Sequence, residues 1–469
     1  MVSRLLSASV ARRGFGVGAA LALCAAAAAP AQQAPQGGPA EAGDPVLALS
    51  EARANPESFR AAIGAAIERQ PNLAVALAIA DQAEAQVGQA RAARLPSAEL
   101  NLTNFRVISR DFSNDPLNVL ERTRPSLRTD VQLSVNQTLF DFAAGANRLK
   151  AAKLRASAAI ADAEGSAAQI AAETITAWYE VTGFRALAQF TRGFLEVERE
   201  LLEGLDARIE RGVAAPVDRA RAQAAIARST ARLADFERRS AGAAARFQAF
   251  TGQAPPPGLQ RAPAACALPA DAESAAAIAA RRAPAVRSAD AVARAAARDA
   301  QAAESDRLPL ITGGIDAGRF GLIETPFDYE VRARLGLRMR LFGGIDSRIA
   351  EAGARARAAQ ARADQARQDA VRDATVSFAD ASALADQLRA VEAQYLAARR
   401  TRDGVIERFR VNRGTLFDVL AAQEEMFQAA VSYVQALSDL DATRYIVLAR
   451  TGSLLQCLRV EAPRQGQVQ

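Results

Sequence analysis

The clearest pattern along the chain is an alternation of apolar and polar residues with a period of two. In YEVRARLGLRMRLFGG, residues 329–344, apolar side chains occupy one parity and Arg332, Arg334, Arg338 and Arg340 occupy the other. Residues 129–140 alternate similarly, and residues 98–110 and 310–320 do so more weakly. This period predicts four strands with one apolar and one polar face, each near the ~10 residues that cross a bilayer when tilted.

A second pattern, with the period of a coiled coil, follows the last of these strands. No proline occurs between Phe327 and Ala462, and apolar residues recur there at alternating spacings of four and three. The strict part of this seam comprises Ile345, Ile349, Ala352, Ala356, Ala359, Ala363, Ala366 and Ala370. The seam predicts a helix of ~70 residues, roughly 100 Å long at ~1.5 Å per residue, and residues 143–211 predict a second one.

The sequence contains two copies of this arrangement of strands and helices. Residues 71–96 match residues 284–309 without a gap, including both prolines and the Arg-Leu-Pro ending. Further along, Thr251-Gly252 corresponds to Thr451-Gly452. Such internal similarity predicts two copies of one structural unit, each with a helix, two strands and a long helical hairpin.

The duplication sets the predicted boundaries. They are a first structural repeat at residues 57–252, a proline-rich linker at 253–274 and a second structural repeat at 275–456. Residues 32–56 are expected to form a disordered N-terminus and residues 457–469 a C-terminal tail.

The first 31 residues predict export from the cytoplasm. Three arginines precede an apolar run at residues 15–29, which ends in an Ala-Pro-Ala cleavage site. A twin-arginine signal at Arg12-Arg13 lacks its usual flanks, and a lipoprotein signal at Cys24 is disfavoured by the bulky Leu23 before it. No later apolar run is long enough for a membrane helix, so any membrane insertion is expected to use strands.

Composition and charge exclude several function classes. Apolar residues make up 50% of the 469 residues and aromatic residues only 5%, which favours helices packed through alanine. Removal of the three signal-peptide arginines lowers the net charge of +6 to +3, and no aromatic residues interleave with the basic ones. We therefore expect no nucleic-acid partner.

The sequence carries no recognisable catalytic or cofactor motif. It has no histidine, no Walker A loop, no Gly-x-Ser-x-Gly and no Cys-x-x-Cys pair. We therefore predict that the protein is not an enzyme and has no catalytic residues, cofactor or metal site. Cys266 and Cys457 remain after signal cleavage, and either a disulfide or two free thiols fits an oxidising periplasm.

The four predicted strands imply an oligomer. A four-stranded sheet cannot close, and its open edges cannot face lipid because their backbone N–H and C=O groups would lack partners. Two copies would give eight strands and a barrel filled by side chains, whereas three would give twelve strands and room for water. Arginines that face inward need water around them, so only the water-filled barrel accommodates them, which favours a homotrimer. Asp316 is expected to neutralise one of these arginines in part.

With these features, the sequence resembles the TolC-like outer-membrane efflux proteins, or outer membrane factors. The likeness extends over residues 57–456 and includes the Leu139-Phe140-Asp141 and Leu341-Phe342-Gly343-Gly344 junctions and the turn RVNRGTLFDVLAAQ at residues 410–423. The resemblance implies a mainly α fold with a β-barrel part. A trimeric twelve-strand transmembrane barrel, four strands per chain, would continue into a twelve-helix periplasmic coiled-coil tunnel.

The resemblance also implies a periplasmic gate at the inner ends of the long helices. The gate aspartate of the family falls on Asp418 and its aromatic partner on Phe409, while a second aspartate position holds Ala421. Arg410 or Arg413 is an alternative partner for Asp418. The first-repeat counterparts are Arg208, Arg211, Gly212 and Asp218. Both aspartates also fit an ordinary helix-start role favoured by the helix dipole.

The function implied is a passive exit duct in the outer membrane with an extension into the periplasm. It would serve a tripartite efflux pump or a type I secretion system and pass small molecules or polypeptides. Its expected partners are outer-membrane lipid, a periplasmic adaptor (membrane fusion protein) and an inner-membrane RND or ABC transporter. The alternative is a soluble periplasmic coiled-coil scaffold without a pore.

Overall fold

The computed structural model describes residues 44–111, 119, 123, 125–324, 328–411 and 413–460. The predicted signal peptide, residues 32–43 and residues 461–469 lie outside this part. Its strands are β1 (Ser97–Arg106), β2 (Leu127–Phe140), β3 (Leu310–Arg319) and β4 (Tyr329–Arg338). Its helices are α1 (Pro45–Glu51), α2 (Pro56–Arg69), α3 (Pro71–Ala92), α4 (Ala144–Glu210), α5 (Pro216–Thr251), α6 (Ala272–Arg282), α7 (Pro284–Ser305), α8 (Ile345–Arg410), α9 (Leu416–Arg450) and α10 (Leu454–Leu458).

The two long helices occur as predicted. Helix α4 has 67 residues and α8 has 66, and each follows a backbone with positive φ, at Ala143 (68°) and Gly344 (77°), that turns the chain out of the preceding strand. Every alanine and isoleucine of the strict seam on α8 is buried or half-buried, so the heptad pattern marks the packed side of this helix. Among the described helices, none is apolar enough over a sufficient length to cross a membrane.

The strands form one antiparallel sheet in the order β1-β2-β3-β4. Each repeat supplies one hairpin, and the repeats join where β2 pairs with β3, with Val135 opposite Ile315. Residues opposite one another in an antiparallel pair share a face. The sheet therefore carries the predicted alternation across all four strands.

The last strand ends earlier than the alternation predicts. Arg340 was expected on β4, but pairing stops at Arg338, whose partner Leu310 is the first residue of β3. The preceding Pro309 has no N–H to extend the ladder. Gly343 and Gly344 then adopt φ of 101° and 77°, which redirects the chain into α8 and leaves Arg340 in the junction between strand and helix.

The expectation of a disordered N-terminus is wrong from residue 44 onward. Asp44 caps α1 by accepting a hydrogen bond from Val46 N at 2.9 Å, and Tyr395 Oη donates to Asp44 Oδ2 at 2.7 Å. Val46 is fully buried among aromatic and aliphatic residues of α4, α8 and α9. This burial and capping hold a segment whose composition alone suggested disorder.

The expected C-terminal tail is likewise ordered at its start. Cys457 lies in α10, and Leu458 is buried in the main hydrophobic core. Cys457 forms a disulfide with Cys266, with a Cα–Cα distance of 5.9 Å. The covalent bond joins the end of the second repeat to the segment between the repeats.

The segment between the repeats forms neither a helix nor a strand from Gln253 to Asp271, yet it packs tightly against the helices. Trp178 Nε1 donates to Gln260 O at 2.8 Å, and Tyr445 Oη donates to Pro263 O at 2.9 Å. Trp178 also meets Phe59 edge-on, with ring centroids 5.1 Å apart. Aromatic residues of α4 and α9 therefore anchor the connection by its backbone carbonyls.

A buried ion cluster lies beside this anchor. Asp441 of α9 is 3% exposed, and its Oδ2 lies 2.7 Å from Arg261 Nε and 3.5 Å from Arg53 Nη1. The Arg261 contact is electrostatic rather than a well-aligned hydrogen bond, because its Nε–H finds no acceptor in hydrogen-bonding geometry. Arg261 Nη1 instead donates to Ser50 O at 2.8 Å. One carboxylate thus ties the N-terminal segment and the connection to the helical body.

We expect Asp441→Asn to lower the free energy of unfolding of this core by about 3–5 kcal/mol, because it leaves a buried guanidinium without its counter-charge. Trp178 is the only tryptophan and lies in the same core, so its fluorescence during urea unfolding reports the loss. The matched control is Asp386→Asn, which removes a carboxylate that is 71% exposed and paired with Arg389. Equal urea midpoints for both variants would contradict a stabilising role for the cluster.

Candidate functional site

One face of the sheet is apolar and is not covered by other described parts of the chain. Each strand contributes large aliphatic side chains to this face, and the exposed ones are Leu100, Leu102, Leu133, Ile315, Val331, Leu335 and Leu337. Leu335 is 78% exposed and Leu102 69%. A water-soluble protein does not leave a continuous aliphatic surface of this size uncovered. The face therefore requires an apolar surrounding.

The opposite face carries the polar parity and the predicted arginines. Arg334 Nε lies 2.7 Å from Asp316 Oδ2, as the sequence suggested for this aspartate. Arg332 Nε lies 3.0 Å from Glu330 Oε1. Arg338 stands on the same face, and Arg340 follows beyond the strand. Two of the four predicted lumen arginines are thus neutralised within the chain.

The outer edges of the sheet are open in a single chain. Within the described residues, β1 pairs only with β2 and β4 only with β3, so one side of each outer strand presents unpaired N–H and C=O groups. The first and last strands run antiparallel to one another, since three successive antiparallel pairings separate them. An identical sheet can therefore continue the same alternation at either edge.

The far ends of the helical hairpins form a second candidate site. The turn between α4 and α5 uses Gly212 with φ of 74°, and the turn between α8 and α9 includes Gly414. Both hairpin ends share a small apolar cluster that contains Leu205, Phe409 and Val419. The predicted gate residue Phe409 is consequently 8% exposed and packs inside the chain. We call this region the helical tip.

Arg208 connects the two hairpins at the helical tip. Its Nη2 donates to Phe409 O at 2.9 Å and to Arg410 O at 3.3 Å, the last carbonyls of α8. Its guanidinium also lies 4.3 Å from the centroid of the Phe409 ring. A cation at a helix C-terminus offsets the dipole and satisfies free carbonyls. The sequence repeat identifies the position of Arg208, but only the fold brings it to Phe409.

Asp418 starts α9 in a capping box with Thr415. Its carboxylate accepts hydrogen bonds from Thr415 Oγ1 at 2.8 Å and from Thr415 N at 3.1 Å, and these bonds lower the pKa of Asp418 below its ordinary value. Within the described residues, Asp418 forms no ion pair with Arg410 or Arg413. Arg410 lies instead 3.7 Å from Glu407. In a single chain, Asp418 therefore has the helix-start role.

The first-repeat counterparts also make contacts within their own hairpin. Asp218 Oδ1 lies 3.2 Å from Arg221 Nη1, and Arg211 Nε donates to Ala207 O at 2.8 Å. The fold thus brings Phe409 together with Arg208, while Asp218, Arg211, Arg410 and Asp418 each bind a near neighbour in sequence.

A buried polar cluster adjoins the helical tip, and sequence reasoning did not identify it. Glu198 of α4 is 5% exposed and Gln423 of α9 is 2% exposed, and both line a cavity of about 20 Å³. Glu198 Oε2 and both amide atoms of Gln423 lack hydrogen-bond partners among the described residues. Burial raises the pKa of the Glu198 carboxyl. The cavity has the size and polarity of a site for one water molecule.

In the described part of the chain, no three His, Cys, Asp or Glu residues are placed to hold a metal ion. The candidate functional features are therefore the sheet, with one apolar and one charged face, and the helical tip.

Comparisons with known proteins relate this arrangement to outer-membrane channels. The sequence model of the outer membrane efflux protein family matches residues 62–253 and 276–450, which covers both repeats. The fold is similar to the outer membrane protein VceC of Vibrio cholerae, with a TM-score of 0.73 and 19% identity over 84% of this chain and 96% of that one. A comparison with curated protein sequences gives no significant match.

Two further solved structures share the fold. The CmeC outer membrane channel of Campylobacter jejuni aligns with a TM-score of 0.71 and 15% identity over 85% of this chain and 86% of that one. The open state of the MtrE outer membrane channel of Neisseria gonorrhoeae aligns with a TM-score of 0.68 and 18% identity over 84% and 89% of the two chains. On the match to both repeats, this chain belongs to the outer membrane efflux protein family and is located in the outer membrane with a periplasmic extension.

Proposed function

We propose that three copies of the chain form a passive exit duct through the outer membrane, filled with water from a twelve-stranded barrel into a tunnel of helices. The observation that carries this proposal is the sheet, which has a bare apolar face, a charged opposite face and two open edges. In the proposed duct, hydrocarbon covers the apolar face and water covers the charged face. Strands of identical neighbours pair with the open edges.

The number of copies follows from the charged face. In an eight-stranded barrel the interior is filled by side chains, so the guanidinium groups of β4 and the carboxylates beside them would lose their hydration. A twelve-stranded barrel leaves room for water. A trimer therefore accommodates the charged residues at the lowest desolvation cost.

The duct needs partners to supply energy, since nothing in the sequence points to a hydrolytic site. We propose that an inner-membrane RND or ABC transporter drives small molecules or polypeptides into it through a periplasmic adaptor. Exposed apolar residues at the helical tip, Val213, Val217, Val411 and Phe417, support docking of the adaptor there. The helical tip is also the proposed gate, since its two turns end the helices that would enclose the tunnel.

The soluble coiled-coil scaffold is the weaker candidate. It accounts for the long helices and the heptad seam, but it leaves the aliphatic face of the sheet in water.

A pair of neighbouring substitutions separates the two functions. We expect Leu102→Lys to reduce the amount of folded protein in the outer membrane, because a lysine facing the middle of the bilayer costs about 2–4 kcal/mol. The control Thr103→Lys places the same charge on the polar face, opposite Asp130, and should leave assembly unchanged. Detergent fractionation of cells and channel conductance in planar bilayers measure both variants.

The scaffold predicts a different outcome for this pair. Leu102 and Thr103 are both exposed in the single chain, so a soluble protein would accept either lysine and remain in the periplasmic fraction. Equal behaviour of the two variants would therefore contradict the membrane duct.

The proposed gate can be tested at Arg208. Substitution by alanine removes the hydrogen bonds to the last carbonyls of α8 and the contact with the Phe409 ring, so the two hairpins lose a link at the tip. We expect Arg208→Ala to raise the leak conductance of the resting channel several-fold in planar bilayers.

Arg211→Ala is the matched control, because among the described residues the Arg211 side chain bonds only to a carbonyl of its own helix, and Arg211 lies one turn away from Arg208. Its leak should equal that of the wild type. If Arg208→Ala leaks no more than Arg211→Ala, the link between the hairpins does not contribute to closure.

A further inference from the structure

A cavity of about 660 Å³ lies where the sheet meets the helices. The end of α3, the start of α4, the end of α7 and the end of β4 contribute to its walls. We call it the junction cavity and define it by its charged residues, which are Arg94, Asp141, Arg148, Asp306, Arg338 and Arg340. Four guanidinium groups and two carboxylates therefore surround one space.

Both carboxylates are already engaged. Asp306 Oδ1 accepts from Arg148 Nη2 at 2.6 Å, and Asp141 Oδ2 accepts from Gly145 N at 2.6 Å. Within the described residues, no carboxylate oxygen lies within 4.0 Å of the guanidinium nitrogens of Arg94, Arg338 or Arg340. These three cations thus differ from Arg332 and Arg334, which form ion pairs within the sheet. An anion entering the junction cavity would meet three guanidinium groups that are not held in ion pairs, and the four arginines outnumber the two carboxylates.

The start of α4 lies at the wall of the cavity and already holds a carboxylate. Ala144 and Gly145, the first residues of this 67-residue helix, line the cavity, and Asp141 Oδ2 accepts from Gly145 N, so the helix dipole is offset within the chain. The absence of a side chain at residue 145 is required locally. A Cβ there would lie 2.7 Å from Asp141 Oδ2 and 3.3 Å from Arg94 Cγ. Glycine at residue 145 therefore leaves room for the Arg94 side chain and the Asp141 carboxylate beside the helix start.

The position of the cavity indicates which solvent supplies the anion. Arg338 belongs to the polar face of the sheet, on the side opposite the bare aliphatic surface. A ligand at Arg338 therefore arrives from the aqueous side and not from the hydrocarbon. The volume of the cavity lies in the range that holds small organic molecules rather than a single ion.

We propose that the junction cavity is a binding site for small organic anions bearing two or more carboxylate or phosphate groups, which engage Arg94, Arg338 and Arg340. The proposal rests on the proposed duct and defines a class of cargo for it. Multiple acidic groups match three separated guanidinium groups, each of which presents a planar fork of N–H donors. Anionic cargo would be concentrated at the point where the helical part opens into the barrel.

Block of the channel by citrate tests the proposal. In planar bilayers of neutral lipid at low ionic strength, citrate on one side should reduce the current through the wild-type channel in a saturable manner. The variant Arg338→Gln/Arg340→Gln loses two charge-assisted contacts, so the half-blocking concentration should rise at least about tenfold. The matched control Arg332→Gln/Arg334→Gln, which alters the two paired arginines, should change it by less than about threefold.

Titration calorimetry on the detergent-solubilised protein provides a readout that does not depend on conduction. We expect citrate to bind to the wild type and to the Arg332→Gln/Arg334→Gln variant, and to bind at least about tenfold more weakly to the Arg338→Gln/Arg340→Gln variant. Equal loss in both double variants would mean that general lumen charge, not the junction cavity, attracts the anion, which overturns the proposal.

The remaining outcomes separate this proposal from the duct itself. Channels that conduct normally but show the same citrate block in all three proteins would overturn the anion site and leave the duct intact. Loss of citrate block on adding anionic lipid to the bilayer would assign the cavity to lipid headgroups and also overturn the cargo proposal. Absence of any conducting channel from the wild type would contradict the duct.

Discussion

Backbone hydrogen bonding at the edges of a four-stranded sheet is the constraint on which the rest of the structure depends. Each outer strand presents N–H and C=O groups that have no partner in the part of the chain that the structure describes, on a sheet whose one face is continuously aliphatic. Exposure of the aliphatic face to water is unfavourable, and exposure of the unpaired edges to hydrocarbon is also unfavourable. A sheet closed by further strands avoids both costs, because its aliphatic face can lie in hydrocarbon while its edge groups are hydrogen-bonded. The alternation of residue types along β1 to β4 thus dictates an assembly larger than one chain.

The helical part is built to hold that sheet in a fixed geometry. Gly343 and Gly344 turn the chain directly from β4 toward α8, and Phe142 and Ala143 perform the same turn after β2. Far from the sheet, Asp441 and the Cys266–Cys457 disulfide tie the connection between the repeats to the helices. The duplicated hairpins therefore act as one body, which carries the strands at one end and the two turns of the helical tip at the other.

Sequence patterns predicted the elements well because strands and heptad helices are local and periodic. The position of Arg334 in the alternation predicted its face of the sheet, and that of Asp316 suggested a contact with one of the arginines, which the structure shows to be Arg334. The strand end at Arg338 escaped prediction because it is set by Pro309, which directly precedes the neighbouring strand β3. Helix α1 was not predicted because seven residues are too few to show a clear periodicity. Its position is fixed by contacts such as that of Asp44 with Tyr395, which is hundreds of residues away in the sequence. Arg208 and Phe409 meet across the two repeats, a contact that no local pattern encodes.

Closure of the sheet by identical chains is the central claim, and the mass of the assembly tests it most directly. Native mass spectrometry of the protein extracted from outer membranes in detergent should give three chains per particle. A particle of one or two chains, or a folded single chain that stays in solution without detergent, would contradict the account.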